Sequence, residues 1–201
     1  MTLWAVIDIM RVKLIAVDSV IPNLALMKVA KWHKLHHDTV GFDIEDPDKV
    51  YISCVFKKNH DLAEAIAKEY PNAIVDIGGS GYDLDTRLPA GWDLLEPDYE
   101  IYPACDYDLG FTTRGCNRAC YFCIVPHKEG SFHIVQHPKD FHSPDHKCVV
   151  LMDNNILFDK DWFFDITDWM IENKLKVDFN QGLDIRLIDD EIAQRLRELK
   201  P

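Results

Sequence analysis

The sequence lacks the long apolar run and the basic surplus that mark two large classes of protein. No stretch approaches the roughly 18 apolar residues that a membrane-spanning helix needs, and the first residues carry their charges after the apolar stretch, unlike a secretory signal. Lysine and arginine number 22 against 34 acidic residues, so the formal net charge is −12. We therefore expect a cytoplasmic protein with neither a membrane nor nucleic acid as a partner, because capture of phosphate needs a positive surplus.

Repeats and low-complexity tracts are also missing, and the remaining composition is that of an ordinary globular protein. Hydrophobic residues make up 47% and charged residues 28% of the 201 residues, which excludes disordered, collagen-like and disulfide-rich classes. The length fits one large domain or two small ones. The function must therefore be sought in particular residues.

Strands alternate with helices in the first part of the chain. Apolar runs predict strands at 12–17, 49–56 and 73–77, and helical spacing predicts helices at 22–38 and 61–70. Such alternation produces a parallel sheet. We expect a small Rossmann-like α/β domain over residues 1–85, in which the nine residues before Met10 are an extension.

A second α/β region follows an irregular, proline-containing connector at 86–106. Within residues 107–201, strands are predicted at 107–113, 148–152 and 176–180, and helices at 162–173 and 189–199. The pattern amounts to about three β/α units.

Six cysteines are present, at positions 54, 105, 116, 120, 123 and 148. Three of them fall within eight residues, and the others are solitary. Paired disulfides are not expected in a reducing cytosol, whereas clustered thiolates bind soft metal centres. The cluster therefore predicts metal ligation by Cys116, Cys120 and Cys123.

The segment GFTTRGCNRACYFCIVPHKEG, residues 110–130, contains CxxxCxxC with Phe122 before the last cysteine. This segment resembles the cysteine loop of the radical S-adenosylmethionine (radical SAM) family. Three thiolates hold three irons of a 4Fe-4S cluster and leave the fourth unsaturated. The resemblance implies that this iron binds S-adenosylmethionine. A small electron donor such as flavodoxin or ferredoxin would then drive cleavage to a 5′-deoxyadenosyl radical that acts on a substrate the sequence does not identify.

The resemblance also implies a fold and a set of cofactor contacts. The family core is a partial β/α (TIM-like) barrel, in which the cysteine loop follows the first strand and the next two strands end at the cofactor. Phe122 is counted among the cofactor-binding residues. Asp153, Asn154 and Asn155 are expected to bind the amino group of S-adenosylmethionine, and Arg186 to clamp its carboxylate. No catalytic residue is assigned.

Structural interpretations remain open beside these assignments. Residues 153–155 would equally form a capped turn at a strand end, and Arg186 an ion pair with Asp184 or Asp189. A zinc site is the alternative for the cysteines, although a second CxxC pair is missing and His127 or His133 would have to supply the fourth ligand. A non-catalytic iron–sulfur or zinc-binding module is thus the second hypothesis.

Two further resemblances are partial. The run IVPHKEG is similar to the flank of the methylthiotransferases, enzymes that modify tRNA or protein, but residues 1–104 contain only Cys54 instead of a second set of three cysteines. The N-terminal domain looks like a cobalamin-binding domain, yet the chain reads DSVIPN where D-x-H-x-x-G is required. We expect that fold without cobalamin. The GGSG turn at 78–81 is suited either to a phosphate or to close packing of a loop backbone, and we expect the latter.

The length and the histidines lead to two last expectations. From Asp108 onward 94 residues remain, enough for about three β/α units of roughly 30 residues each, so we expect a shortened barrel, with an open edge on the third strand that a partner chain could complete. The histidines at positions 33, 37, 133, 137, 142 and 146 are expected at solvated surfaces and turns.

Overall fold

The structure is a computed structural model that describes residues 9–118 and 120–200. Residues 1–8 of the expected extension lie outside the described residues. The chain divides into two compact units between Tyr102 and Pro103. Each unit is built on a parallel sheet, which confirms the predicted α/β class. Within the described ranges, no helix is both long and apolar enough to cross a membrane.

From residue 9 onward, the structure describes four strands and two α-helices in the first unit. In chain order these are β1 (Arg11–Ala16), α1 (Leu24–Leu35), β2 (Thr39–Gly41), β3 (Lys49–Ser53), α2 (His60–Ala67) and β4 (Ile74–Gly78). The strands lie in the order β2-β1-β3-β4 and are all parallel. Because side chains alternate between the two faces of a strand, β1 contributes side chains to two hydrophobic cores, one on each face of the sheet. Val12 and Leu14 pack in the core that contains α1 residues, while Ile15 packs with Ala63 of α2.

Two features of the first unit were not expected from the sequence. Trp92, from the predicted connector, packs into the core beside α1. His33 is only 1% exposed, and its ring hydrogen-bonds Asp38 at 2.7 Å and the Tyr51 hydroxyl at 3.2 Å. The expectation of a solvated His33 is therefore wrong, because two polar partners satisfy both ring nitrogens in the interior.

The described part of the second unit, residues 103–118 and 120–200, contains five strands and three α-helices. They are β5 (Asp108–Gly110), β6 (Thr113–Arg114), α3 (Val125–Lys128), β7 (His133–Ile134), β8 (Cys148–Leu151), α4 (Lys160–Glu172), β9 (Lys176–Phe179) and α5 (Asp190–Glu198). β5, β8 and β9 form a parallel sheet in that order, and β6 pairs with β7 in a separate antiparallel ribbon. Two β/α crossovers thus connect three sequential parallel strands.

α4 shows how the sequence fixes the helices of this unit. Asp159 caps the helix by accepting from the Trp162 N–H at 2.9 Å. Phe163, Ile166 and Met170 recur at helical spacing and are fully buried in the core of the unit.

The outer edge of β9 is covered in part by the chain itself. Lys200, just beyond α5, forms a parallel bridge with Lys176. Its carbonyl accepts from the Val177 N–H at 2.8 Å. The expected open edge therefore already carries one backbone hydrogen bond at its beginning.

Candidate metal centre

The three clustered cysteines lie in a loop that is closed at its base by two short strands. β6 comes shortly after β5 and pairs with β7 in antiparallel register, with Thr113 opposite Ile134 and Arg114 opposite His133. We call residues 115–132, between these strands, the cysteine loop. Since both of its ends leave the same ribbon, the cysteines belong to one closed loop that follows the carboxyl end of β5.

Gly115 allows the two ends of the cysteine loop to approach closely. Its φ is +74°, and a Cβ at this position would lie 2.3 Å from the carbonyl oxygen of Ser131. Directly beside it, the Cys116 N–H donates to the Gly130 carbonyl at 3.1 Å. Glycine is required here both by backbone conformation and by contact.

An ion pair braces the base of the loop. Arg114 Nη1 lies 2.9 Å from Glu129 Oε2, and both side chains are largely buried. The Arg114 guanidinium also lies 3.8 Å from the centre of the Phe111 ring. Shelter from water strengthens both interactions relative to an exposed pair.

All six cysteines are free thiols, and the three in the loop are half-buried. Cys116 Sγ accepts from the Arg118 N–H at 3.4 Å and from Asn155 Nδ2 at 3.5 Å. The Cys123 N–H donates to the Cys120 carbonyl at 3.0 Å, which makes a turn between these two ligand candidates. Two N–H groups, one from the loop and one from the segment after β8, thus point at the Cys116 sulfur.

A carboxylate between two arginines lies beside Cys120. Asp184 accepts from Arg118 Nε at 3.0 Å and from Arg186 Nε at 2.7 Å. The hydrogen bond from Arg186 lowers the pKa of Asp184 to about 2. The Asp184 hydrogen bond raises the pKa of Arg186, and a weaker contact with Cys120 acts in the same direction. Arg186 thus forms an ion pair with Asp184, which is the structural alternative to clamping the cofactor carboxylate. Its guanidinium also places positive charge beside the Cys120 thiol.

The described side chains do not form a preassembled metal site. Among residues 9–118 and 120–200, no group of three or more His, Cys, Asp or Glu side chains is placed to hold a metal ion. To bring the three sulfur atoms onto one centre, Cys120 and Cys123 would therefore have to approach Cys116, whose N–H is held by the Gly130 carbonyl. Such coupling of metal binding to local folding is usual.

Two aromatic rings at the tip of the loop face the solvent. Tyr121 is 98% and Phe122 76% exposed, and their rings meet edge to face at 5.1 Å. Ile124 beside them is also exposed. Phe122, which the sequence assigns to the cofactor, is accordingly accessible to a ligand.

Residues 153–155, which follow β8, hold the base of the cysteine loop, and we call them the clasp. Asp153 is 3% exposed, and its Oδ1 accepts from the N–H groups and hydroxyls of both Thr112 and Thr113, at 2.6 Å and 2.7 Å for the hydroxyls. Burial raises the pKa of Asp153, and these four donors act in the opposite direction. The carboxylate is occupied within the protein, so the capped-turn interpretation describes it better than contact with a cofactor does.

The two asparagines of the clasp bind different parts of the loop. Asn154 Oδ1 accepts from the Gly115 N–H at 3.0 Å. Asn155 is 5% exposed and donates to Cys116, while no described residue donates to its Oδ1. A buried acceptor without a donor costs about 1–3 kcal/mol. The position therefore suits a ligand that carries an N–H or O–H group.

The donor set fits an iron–sulfur cluster in its chemistry. Three thiols share one loop, Cys116 has two N–H donors, and Arg186 adds positive charge. The zinc alternative needs a fourth ligand, and both histidines proposed for it are exposed. His133 already uses Nδ1 in a contact with the Ser131 carbonyl at 2.9 Å.

A buried carboxylate at the start of β5 was missed by the sequence analysis. Asp108 is fully buried, and its two oxygens contact His142 Nδ1 at 2.5 Å and His146 Nδ1 at 2.8 Å. The surface role expected for His146 is wrong, since only 7% of it is exposed. No sequence signal joins residues that lie 34 and 38 positions apart. The cysteine loop follows the other end of β5, so this cluster belongs to the scaffold.

The GGSG turn of the first unit is explained by backbone contact. A Cβ on Gly79 would lie 2.2 Å from the Cys54 carbonyl oxygen, and one on Gly81 would lie 2.4 Å from the Phe56 carbonyl carbon. These glycines let two loops at the carboxyl edge of the sheet touch, as expected.

No protein-family model matches the chain, and no curated protein matches it.

Proposed function

We propose that the chain is a radical SAM protein in which Cys116, Cys120 and Cys123 hold a 4Fe-4S cluster. The observation that carries the proposal is the CxxxCxxC loop, which is closed at its base by the β6–β7 ribbon and begins shortly after the carboxyl end of the parallel strand β5. In α/β proteins, ligands bind at this end of the sheet. We further propose that β5, β8 and β9 are the first strands of the family's partial barrel.

S-adenosylmethionine, bound at the open iron, would supply the 5′-deoxyadenosyl radical that attacks the substrate. The chain's own residues would bind and orient this cofactor. The buried Oδ1 of Asn155 accepts no hydrogen bond from a described residue and would accept one from the amino group of the cofactor. The exposed ring of Phe122 would contact the cofactor. Asp153 and Asn154 act through the loop backbone, which they fix in position.

Arg186 already donates to Asp184 through Nε and Nη2. To bind the cofactor carboxylate as well, it would have to use its remaining N–H groups. Its side chain is 59% exposed and reaches both Asp184 and Cys120. We propose a small electron donor of the flavodoxin or ferredoxin type as the reductant. The free thiols fit a reducing compartment, and we propose the cytoplasm.

Anaerobic reconstitution with iron and sulfide tests the proposal. We expect about four irons and four sulfides per chain, and formation of 5′-deoxyadenosine when dithionite and S-adenosylmethionine are added. Serine at position 116, 120 or 123 should abolish cluster uptake. Cys105→Ser is the matched control, because Cys105 is a half-buried free thiol outside the loop, and it should retain the cluster.

Other outcomes would favour the alternatives. Stoichiometric zinc without iron, or a cluster that never cleaves the cofactor, would support a non-catalytic metal-binding module. An iron count of about eight would support a methylthiotransferase, since that reaction uses a second cluster.

A further inference from the structure

We infer that Asn155 is a positioning residue whose side-chain amide donates to Cys116 and raises the reduction potential of the cluster. The inference rests on the proposed function. Its basis is the partly buried contact of 3.5 Å between Asn155 Nδ2 and Cys116 Sγ. Among the described residues, this is the one side-chain amide that donates to a loop cysteine.

The position of the Asn155 side chain is set by the fold. Asn155 directly precedes a short 3-10 turn, Ile156–Phe158, in which Ile156 and Leu157 are buried in the core of the unit. Its chain neighbours Asp153 and Asn154 are held by their own hydrogen bonds to the loop base. The amide is therefore presented to the sulfur from a rigid support.

The second donor on the same sulfur has a different origin. The Arg118 N–H, at 3.4 Å, belongs to the cysteine loop and moves with it. Asn155 belongs to the segment after β8, 39 positions away. Replacing Asn155 thus removes one donor and leaves the backbone of the cysteine loop unchanged.

The expected effect on redox chemistry has a definite sign. Reduction brings one electron from the electron donor onto the cluster and increases the negative charge on its sulfur ligands. An N–H donor at a ligand sulfur stabilises this more negative state more than the oxidised one, which raises the potential. Burial strengthens the effect, because the local dielectric constant is low.

The test compares Asn155→Leu, which is similar in shape and has no donor, with the wild-type chain. Each is reconstituted anaerobically and titrated with dithionite, and the reduced cluster is followed by electron paramagnetic resonance. We expect the ratio of reduced to oxidised cluster at a fixed potential to fall about tenfold, a shift of about 59 mV for one electron. Asn155→Gln, which restores an amide, should recover part of the shift.

Asn180→Leu is the matched control. Asn180 Nδ2 also donates to a sulfur, Met152 Sδ, at 3.2 Å, but that sulfur is a thioether outside the cysteine set. The control variant should keep the wild-type potential.

A second measurement begins with the wild-type chain alone. In wild-type protein labelled with ¹⁵N-asparagine, pulsed electron paramagnetic resonance of the reduced cluster should detect a weak coupling to a side-chain nitrogen. The coupling should be lost in Asn155→Leu, or in Asn155→Asp if the leucine variant takes up no cluster.

The two ways of failing are distinct. A wild-type chain that assembles no cluster, or never cleaves the cofactor, overturns the proposed function. A wild-type chain that assembles an active cluster without the nitrogen coupling overturns the role of Asn155. An unchanged potential in Asn155→Leu does the same.

Discussion

Two glycines with nearly the same backbone conformation meet different surroundings in the cysteine loop. Gly115 has φ +74° and Gly130 has φ +75°, but only Gly115 faces an atom, the Ser131 carbonyl oxygen, where a Cβ would be. Alanine at either position carries backbone strain of about 1–3 kcal/mol. The overlap at Gly115 adds roughly 1–3 kcal/mol.

We therefore expect Gly115→Ala to lower the free energy of unfolding clearly more than Gly130→Ala. Urea unfolding followed by circular dichroism measures both. Gly115→Ala should also impair iron uptake, because the loop base opens. Equal costs for the two variants would show that the base of the loop relaxes freely.

The buried His33 predicts loss of stability in acid. Burial lowers the pKa of His33 below its ordinary value of 6.5, although Asp38 acts in the opposite direction. The unfolded chain then binds more protons than the folded one, so the free energy of unfolding falls as the pH falls below about 6.5. Asp38, whose pKa is also lowered, extends the loss below its ordinary value of 3.8.

His33→Gln should flatten this dependence as the pH falls below about 6.5, as measured by hydrogen exchange in α1 and β1. His60→Gln, at a partly exposed site in the same unit, is the control and should leave the slope intact. An unchanged slope in His33→Gln would assign the acid sensitivity to other groups.

At the level of elements, the clasp joins the end of β8 to the segment after β5. Asp153→Ala leaves four donors of Thr112 and Thr113 without their acceptor. We expect a loss of about 3 kcal/mol in the free energy of unfolding, together with reduced iron uptake. The matched control is Asp159→Ala, which removes the cap of α4 and should cost about 1 kcal/mol. Similar costs for the two variants would contradict the clasp.

Elements with a clear apolar period were predictable from the sequence. The expected strands at 12–17, 148–152 and 176–180 are confirmed within about one residue as β1, β8 and β9, because a short apolar run that marks a buried strand is a local property of the sequence. β2 and the β6–β7 ribbon were missed. They are three and two residues long, too short for a period to show.

The site was predictable in part. Cysteine spacing is local and identified the three candidate ligands, and the sequence also singled out the asparagines after β8, which the structure places in contact with the cysteine loop. The different contacts of residues 153, 154 and 155 could not be predicted, because they join residues far apart in sequence. Thr112 and Asp153, for example, are 41 positions apart. The same limit hid the contact of Asp108 with His142 and His146.

At the scale of the whole molecule, the net charge of −12 opposes the binding of polyanions. We expect no binding of a fluorescent RNA at physiological salt, measured by anisotropy, because phosphate contacts need a local excess of lysine and arginine. A lysine-rich peptide serves as the positive control. A salt-sensitive rise in anisotropy with the protein would contradict this and favour a tRNA-modifying role.

The clasp makes the cysteine loop dependent on how β5 and β8 align. Gly110 pairs with Leu151, two residues before Asp153. A slip of one residue would exchange the faces of the strand and move Asp153 away from Thr112, and Asn155 away from Cys116. Under the proposed function, a misaligned chain could not load its metal. Only chains in which β5 and β8 pair in the correct register would then bind the cluster.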